Sequence, residues 1–226
     1  MVRRDDKMID ENTIREDTGK RHRHKYENPN FFHQLFLGRF IDAVARELKS
    51  LPPGRTLAFG CGEGFLLWEL SRRGVRFDTL TGLDLRGDAL KEAKEMLPEY
   101  HFVQKDLLTY NPSEGPFDLV IASQVLEHLP NPKIFLEKLI SLARGPLLIS
   151  VPLEPWFHLI NLARGRDIGH FGHHPEHINQ WGVRSFRKFV EAHATITRIY
   201  TVFPFIICAA ERSTAGQPAN PTGLAS

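Results

Sequence analysis

Cysteine is scarce in this chain: Cys61 and Cys208 are the only two among 226 residues. Two thiols give no disulfide framework, and a reducing cytoplasm is the simplest setting. An excess of either charge is also lacking. There are 29 Lys+Arg against 27 Asp+Glu, a net charge of +2, so composition makes no case for a nucleic-acid partner. No run of about 18 apolar residues exists, which argues against a spanning helix. The nearest stretch, 146–163, is broken by Pro152, Glu154, Pro155 and His158. Met1–Asp6 lacks the apolar core of a signal peptide. Two phosphate-binding signatures are missing as well. There is no G-x-G-x-x-G, and no G-K-[ST] for a nucleoside triphosphate.

What is present is a regular alternation. Hydrophobic residues make up 42% of the chain, enough for the core of one α/β domain. Residues 1–29 are charged and nearly free of large apolar side chains. The Lys20–Lys25 cluster there reads as a solvated tail, offset by Asp5, Asp6, Asp10, Glu11, Glu16 and Asp17. From 30 to 51 the spacing of Phe32, Leu35, Phe36, Phe40, Ile41, Val44 and Leu48 predicts a helix with one apolar face, a cap on the core. Strands are expected at 55–59, 79–84, 101–105, 117–123 and 146–151, with helices at 65–73, 88–97 and 132–143. Asp88 is expected at the N-terminal end of the second of these helices. Residues 152–182 form a long aromatic and histidine-rich insertion, the kind of segment that faces a substrate. A last helix at 184–193 and two β-rich runs, 194–201 and 203–211, suggest a closing antiparallel hairpin. Residues 213–226 read as a disordered tail. The fold class expected is α/β, a doubly wound Rossmann-like sheet of seven strands, mostly parallel.

The chemistry gathers at Leu57-Ala58-Phe59-Gly60-Cys61-Gly62-Glu63-Gly64-Phe65, where a strand turns tightly into a helix. Such a turn brings backbone N–H groups and a helix N-terminus to one point. A second strand ends in an acid, Asp84, 20 positions beyond Gly64. An acid in that place can accept from both hydroxyls of a ribose. The third glycine comes one residue too soon for a dinucleotide, so the loop suits a nucleoside cofactor without phosphates. S-adenosylmethionine has that character: its methionine end carries a carboxylate and an ammonium.

On four stretches the chain resembles the class I S-adenosylmethionine-dependent methyltransferases. Leu57–Gly64 is similar to their glycine-rich first motif and Leu83-Asp84 to the second. Gln104-Lys105-Asp106-Leu107 is similar to the third. Phe117–Leu129 is similar to the fourth, in the V-L-E-H-L form of a subgroup acting largely on small molecules and lipids. The resemblance implies S-adenosyl-L-methionine as cofactor, held by Gly60, Cys61, Gly62, Gly64, Asp84, Leu85, Asp106, Leu107 and Ser123. It implies Asp84 on the ribose hydroxyls and Asp106 on the adenine amino group. The acceptor expected is a small molecule or lipid-like compound methylated on oxygen, with peripheral membrane contact left open. One departure stands out: Ala58 occupies a position where the family usually has an acid near the methionine end.

Methyl transfer to oxygen or nitrogen calls for a base where the acceptor holds a proton. His128, in the fourth motif, and His177, in Pro175-Glu176-His177-Ile178-Asn179-Gln180-Trp181, are the candidates, with His33 behind them. Each also has a reading as a packing or loop-shaping residue. Cys61 reads better as a small residue in a tight turn than as a nucleophile, since no activating partner is evident. The His170–His177 cluster lacks the ordered spacing of a zinc site, so no metal is expected. Trp156, Phe157, Phe171 and Trp181, with Tyr26, Phe31 and Phe32, are candidates for an apolar acceptor wall.

Overall fold

The computed structural model describes residues 31–156 and 178–213. The chain opens with α1 (Phe31–Lys49), β1 (Arg55–Phe59), α2 (Phe65–Arg72), β2 (Thr79–Asp84), α3 (Gly87–Met96) and β3 (His101–Gln104). It continues through β4 (Leu119–Ser123), a 3-10 turn (Leu126–His128), α4 (Pro132–Leu142) and β5 (Leu147–Pro152). The last elements are α5 (Val183–Glu191), β6 (Ala194–Val202) and β7 (Phe205–Arg212). The seven strands form one sheet in the order β3-β2-β1-β4-β5-β7-β6. β1 to β5 are mutually parallel, and β7 runs antiparallel between β5 and β6. The order reverses between β1 and β4, so a crevice opens outside their carboxyl ends.

The two-residue period of the strands feeds two cores. In β4, Leu119 and Ile121 face α1, α2 and α3 along with Phe40, Val44, Leu70 and Leu90. Val120 and Ala122 face the other way, with Leu136 and Leu139 of α4 and Phe186 and Val190 of α5. A strand buried on both faces reads as a continuous apolar run, which is how Leu119–Ala122 reads. Fully burying a side chain such as Phe117 or Phe186 contributes about 1.5–3 kcal/mol.

Several boundaries differ from the sequence expectation. β4 starts at Leu119 rather than Phe117, because Phe117 makes only an isolated bridge to Ala143 and the β1–β4 register begins at Thr56 beside Leu119, with the Asp118 N–H donating to the Arg55 carbonyl at 2.8 Å just ahead of it. The Asp118 carboxylate accepts from the Arg55 N–H at 2.9 Å and from Arg144 Nε at 2.6 Å. It thereby ties β1 to the α4–β5 connection, at the sheet edge away from the crevice. α3 begins at Gly87 with Arg86 as its N-cap, and no side chain caps it; Asp88 lies within the first turn instead. β3 stops at Gln104, whose Nε2 turns back to the Leu85 carbonyl at 2.9 Å. The first hairpin strand runs one residue beyond the expected 201, to Val202, and the second is shifted, starting at Phe205 rather than Phe203 and ending at Arg212, which leaves only Phe203-Pro204 between them. Among the described residues, no helix is long and apolar enough to cross a membrane. The segments 1–29 and 214–226 and positions 157–177 lie outside the described residues.

Candidate active site

Parallel pairing sets Phe59 beside Leu83, so the glycine loop and Asp84 leave the sheet at the same edge. Gly60 has φ +64°, and a Cβ there would lie 2.5 Å from Val125 Cγ2. Only glycine lets the chain turn left-handed against the segment after β4. Gly64, with φ +75°, leads into α2. The loop's amides are largely taken. Gly60 N–H and Cys61 N–H both donate to the Leu83 carbonyl, at 2.7 and 3.3 Å. Gly64 N–H donates to the Cys61 carbonyl at 3.0 Å, and Gly62 N–H to Asp84 Oδ2 at 2.8 Å. Four of the amides that the strand–helix turn brings together are thus paired within the protein. With its amides turned inward, the loop is better suited to offering carbonyls, which match an ammonium rather than a carboxylate.

Asp84 takes its second hydrogen bond at Oδ1, from the Arg86 N–H at 2.9 Å. A carboxylate has about four acceptor positions, so two stay available for a vicinal diol. Arg86 Nη2 donates to Glu63 Oε1 at 2.8 Å, within a largely buried pair. Burial disfavours the Arg86 charge, but Glu63 and Asp84 beside it outweigh this and hold its pKa above the ordinary value. Glu63 is therefore committed to Arg86. Ala58 is 4% exposed and sits in the apolar core under α1 and α2. Cys61 is no nucleophile in this state: burial and the Asp84 charge push its thiol far up, which suppresses the thiolate.

Farther along the edge, Leu85 is 61% exposed, an apolar face beside Asp84. Asp106 is exposed, and one of its oxygens accepts from the Leu108 N–H at 2.7 Å. Leu107 is buried in the core at 1% exposure, so its side chain cannot meet a ligand and only its backbone can. Ser123 Oγ shares a hydrogen bond with Ser150 Oγ at 2.8 Å. Gln124 follows at φ +56°, a left-handed conformation without glycine. Its N–H donates to the Ser150 carbonyl at 2.9 Å and its Nε2 to Ser150 Oγ at 3.1 Å. Non-glycine residues held there often mark functional edges.

The 3-10 turn carries Glu127, 1% exposed, and His128, whose Nε2 is 3.9 Å from Glu127 Oε1. His177, the side chain of His33 and the rest of the histidine cluster lie outside the described residues. The groups at the crevice are thus a loop that offers carbonyl oxygens, a carboxylate with spare acceptor positions, an apolar face and a second carboxylate. That set fits an adenosine bearing a cationic tail.

A methyltransferase-domain family model matches residues 31–193. The chain belongs to the class I S-adenosylmethionine-dependent methyltransferases. It is 29% identical over 134 residues to a trans-aconitate 2-methyltransferase of Rhodopseudomonas palustris (strain BisB18), covering 51% of this chain and 52% of that one. It is 36% identical over 97 residues to a ubiquinone biosynthesis O-methyltransferase of Alkalilimnicola ehrlichii, covering 41% of this chain and 38% of that one. The chain thus spans about half or less of these relatives' lengths. Its fold matches that of magnesium protoporphyrin IX methyltransferase from Synechocystis PCC 6803, crystallised with bound SAH. The TM-score is 0.65 at 22% identity, over 90% of this chain and 100% of that one.

In this methyltransferase the wall expected from aromatic residues is partly rearranged. Trp181 packs against Phe186 and Phe189 of α5, at ring-centroid separations of 5.5 and 4.7 Å, and so belongs to the core side. Trp156 stays half exposed and meets Phe203 edge-on at 6.0 Å, and Phe203 meets Phe36 at 5.5 Å. Phe203 and Phe36 were not expected there. Phe36 keeps the spacing of a core helix face, and Phe203 is a turn residue with no motif around it.

Proposed function

We propose that this enzyme transfers a methyl group to a small-molecule or lipid-like acceptor, on oxygen. The observation that carries the proposal is the Gly62 N–H to Asp84 hydrogen bond. It unites the first and second motifs at the carboxyl ends of β1 and β2, beside the reversal point of the sheet. When bound, S-adenosylmethionine supplies an electrophilic methyl on a sulfonium, open to in-line displacement. Gly60, Cys61, Gly62 and Gly64 hold its methionine end. Asp84 accepts from the ribose hydroxyls through its two spare positions. Asp106 would accept from the adenine amino group, with exposed Leu85 and the Leu107 backbone as further groups to hold the adenosine. Ser123, at the end of β4, would complete the cofactor side. His128 or His177 removes the acceptor's proton as the new bond forms.

Exposed Trp156 and Phe203, with Phe36 beside them, support an apolar or aromatic acceptor. The relatives named for trans-aconitate and for ubiquinone biosynthesis support small acceptors and, in the second case, oxygen. The near-neutral charge supports no nucleic-acid partner, and cysteine usage supports a cytoplasmic setting. Calorimetry with S-adenosylmethionine and its demethylated product tests the first half of the proposal. Absence of heat at about 1 mM ligand contradicts it. Incubation with extracts and a mass search for compounds gaining one CH2 tests the second half.

A second reading is favoured by one observation. Ala58 is closed into the core and Glu63 is committed to Arg86, so neither supplies the acid the family usually places there. Such a chain can serve as a cofactor-binding module without turnover. Cofactor binding with no transfer across a broad acceptor screen supports that reading.

A further inference from the structure

The 3-10 turn after β4 closes with the Leu129 N–H on the Leu126 carbonyl at 3.3 Å and leaves other carbonyl acceptor positions open. A segment some 50 residues later satisfies them. Ile178 N–H and Asn179 N–H both donate to the Glu127 carbonyl, at 2.8 and 3.0 Å. Asn179 Nδ2 donates to the Leu126 carbonyl at 3.1 Å and to the Leu129 carbonyl at 2.7 Å. A primary amide has two N–H groups, and both are spent on the two ends of one turn. Asn179 is half-buried, so water is a poor substitute for it. Close by, Glu154 N–H donates to the Trp181 carbonyl at 2.9 Å, which ties this arm to the end of β5.

The turn also reaches the cofactor side. Val125, its N-cap, fills the space above Gly60, where a Cβ would lie 2.5 Å from Val125 Cγ2. Gly60 is thus linked through Val125 and the turn to Asn179 by packed and hydrogen-bonded contacts, the kind of chain that can carry coupling. We propose that Asn179 is a positioning residue: its side-chain amide locks the turn bearing Val125, Glu127 and His128 to the 178–181 arm. The glycine loop and that arm then respond to cofactor as one unit. The inference rests on the cofactor site proposed above, at a residue outside the four cofactor motifs, in the segment singled out only for His177.

The test uses the full chain and S-adenosylhomocysteine as probe. Asn179→Asp keeps the shape and removes both donors; Asn179→Ser keeps one. Calorimetry is expected to show affinity about five- to twentyfold weaker in Asn179→Asp, with Asn179→Ser between it and wild type. Hydrogen exchange at the Ile178 and Asn179 amides is expected to slow on ligand binding in wild type, and not in Asn179→Asp. A residue that only supports the fold would lower Tm without abolishing that ligand-dependent protection. A folded Asn179→Asp protein with affinity within about twofold of wild type and intact protection overturns the proposal. If Asn179→Asp does not fold, the wild-type exchange and Asn179→Ser decide: no ligand-dependent slowing at 178–179 overturns it. If wild type binds no S-adenosylhomocysteine, the cofactor reading fails first, an outcome distinct from binding without coupling.

Discussion

Replacing Asp84 by Asn separates the loop-holding role of this carboxylate from its proposed role on the ribose. In the structure Oδ2 accepts from the Gly62 N–H and Oδ1 from the Arg86 N–H, at 2.8 and 2.9 Å. Asn keeps one acceptor and turns an NH2 toward one of those donors. Hydrogen bonds to a charged group are worth about 1.5–3 kcal/mol each. Losing one internal bond, with its donor left facing a donor, should lower stability by about 1–3 kcal/mol. For a domain of this size that is a Tm lower by roughly 2–10 °C. The ligand loses the charge on both ribose contacts and an acceptor for one of them, about 2–4 kcal/mol. That corresponds to S-adenosylhomocysteine binding about 30- to 900-fold more weakly by calorimetry. Thermal unfolding without ligand reads the structural part by itself. A variant that melts lower but binds within about threefold of wild type refutes the ribose assignment and leaves Asp84 as a loop staple.

Gly60→Ala should cost about 2–5 kcal/mol in urea unfolding, from left-handed strain and from the clash with Val125. Adding Val125→Ala should recover the clash and leave the strain, so strictly additive costs in the double variant contradict the packing described. Asp118 has its folded pKa lowered by the hydrogen bond from Arg144 and then by the Arg55 N–H. Its contribution is therefore present above the unfolded value near 3.9 and lost as pH falls through the lower folded value. Arg144→Ala should flatten acid unfolding below about pH 4, and an unchanged acid limb contradicts the assignment. Burial and the Asp84 charge raise the Cys61 thiol, and burial pushes Cys208 up to about 12. The folded protein should resist iodoacetamide at about pH 8 and take up two labels on unfolding; rapid native labelling of partly buried Cys61 contradicts its raised thiol pKa.

Much of the cofactor side was legible because its determinants are local. Short apolar runs mark β1, β2 and β4, the close glycines force the turn, and one helix and one strand carry the chain from Gly64 to Asp84. The direction of the loop's amides was not legible. Nothing in Gly60-Cys61-Gly62 says that Leu83 and Asp84 will consume their N–H groups. Leu107 stood in a motif, yet its side chain went to the core, since a motif names positions and not faces. Asp118 also lies within a motif, and pairing with Arg55 and Arg144 places it away from the crevice.

The sequence by itself determined the doubly wound sheet and the kind of cofactor its first crevice suits, because a strand's period and a turn's glycines act over neighbouring residues. Tertiary structure alone decided which distant residues complete the site. Asn179 meets Leu126 across 53 positions, and Phe203 meets Phe36 only once β7 has inserted between β5 and β6. Such contacts follow from strand order and packing, which no short stretch of this chain encodes.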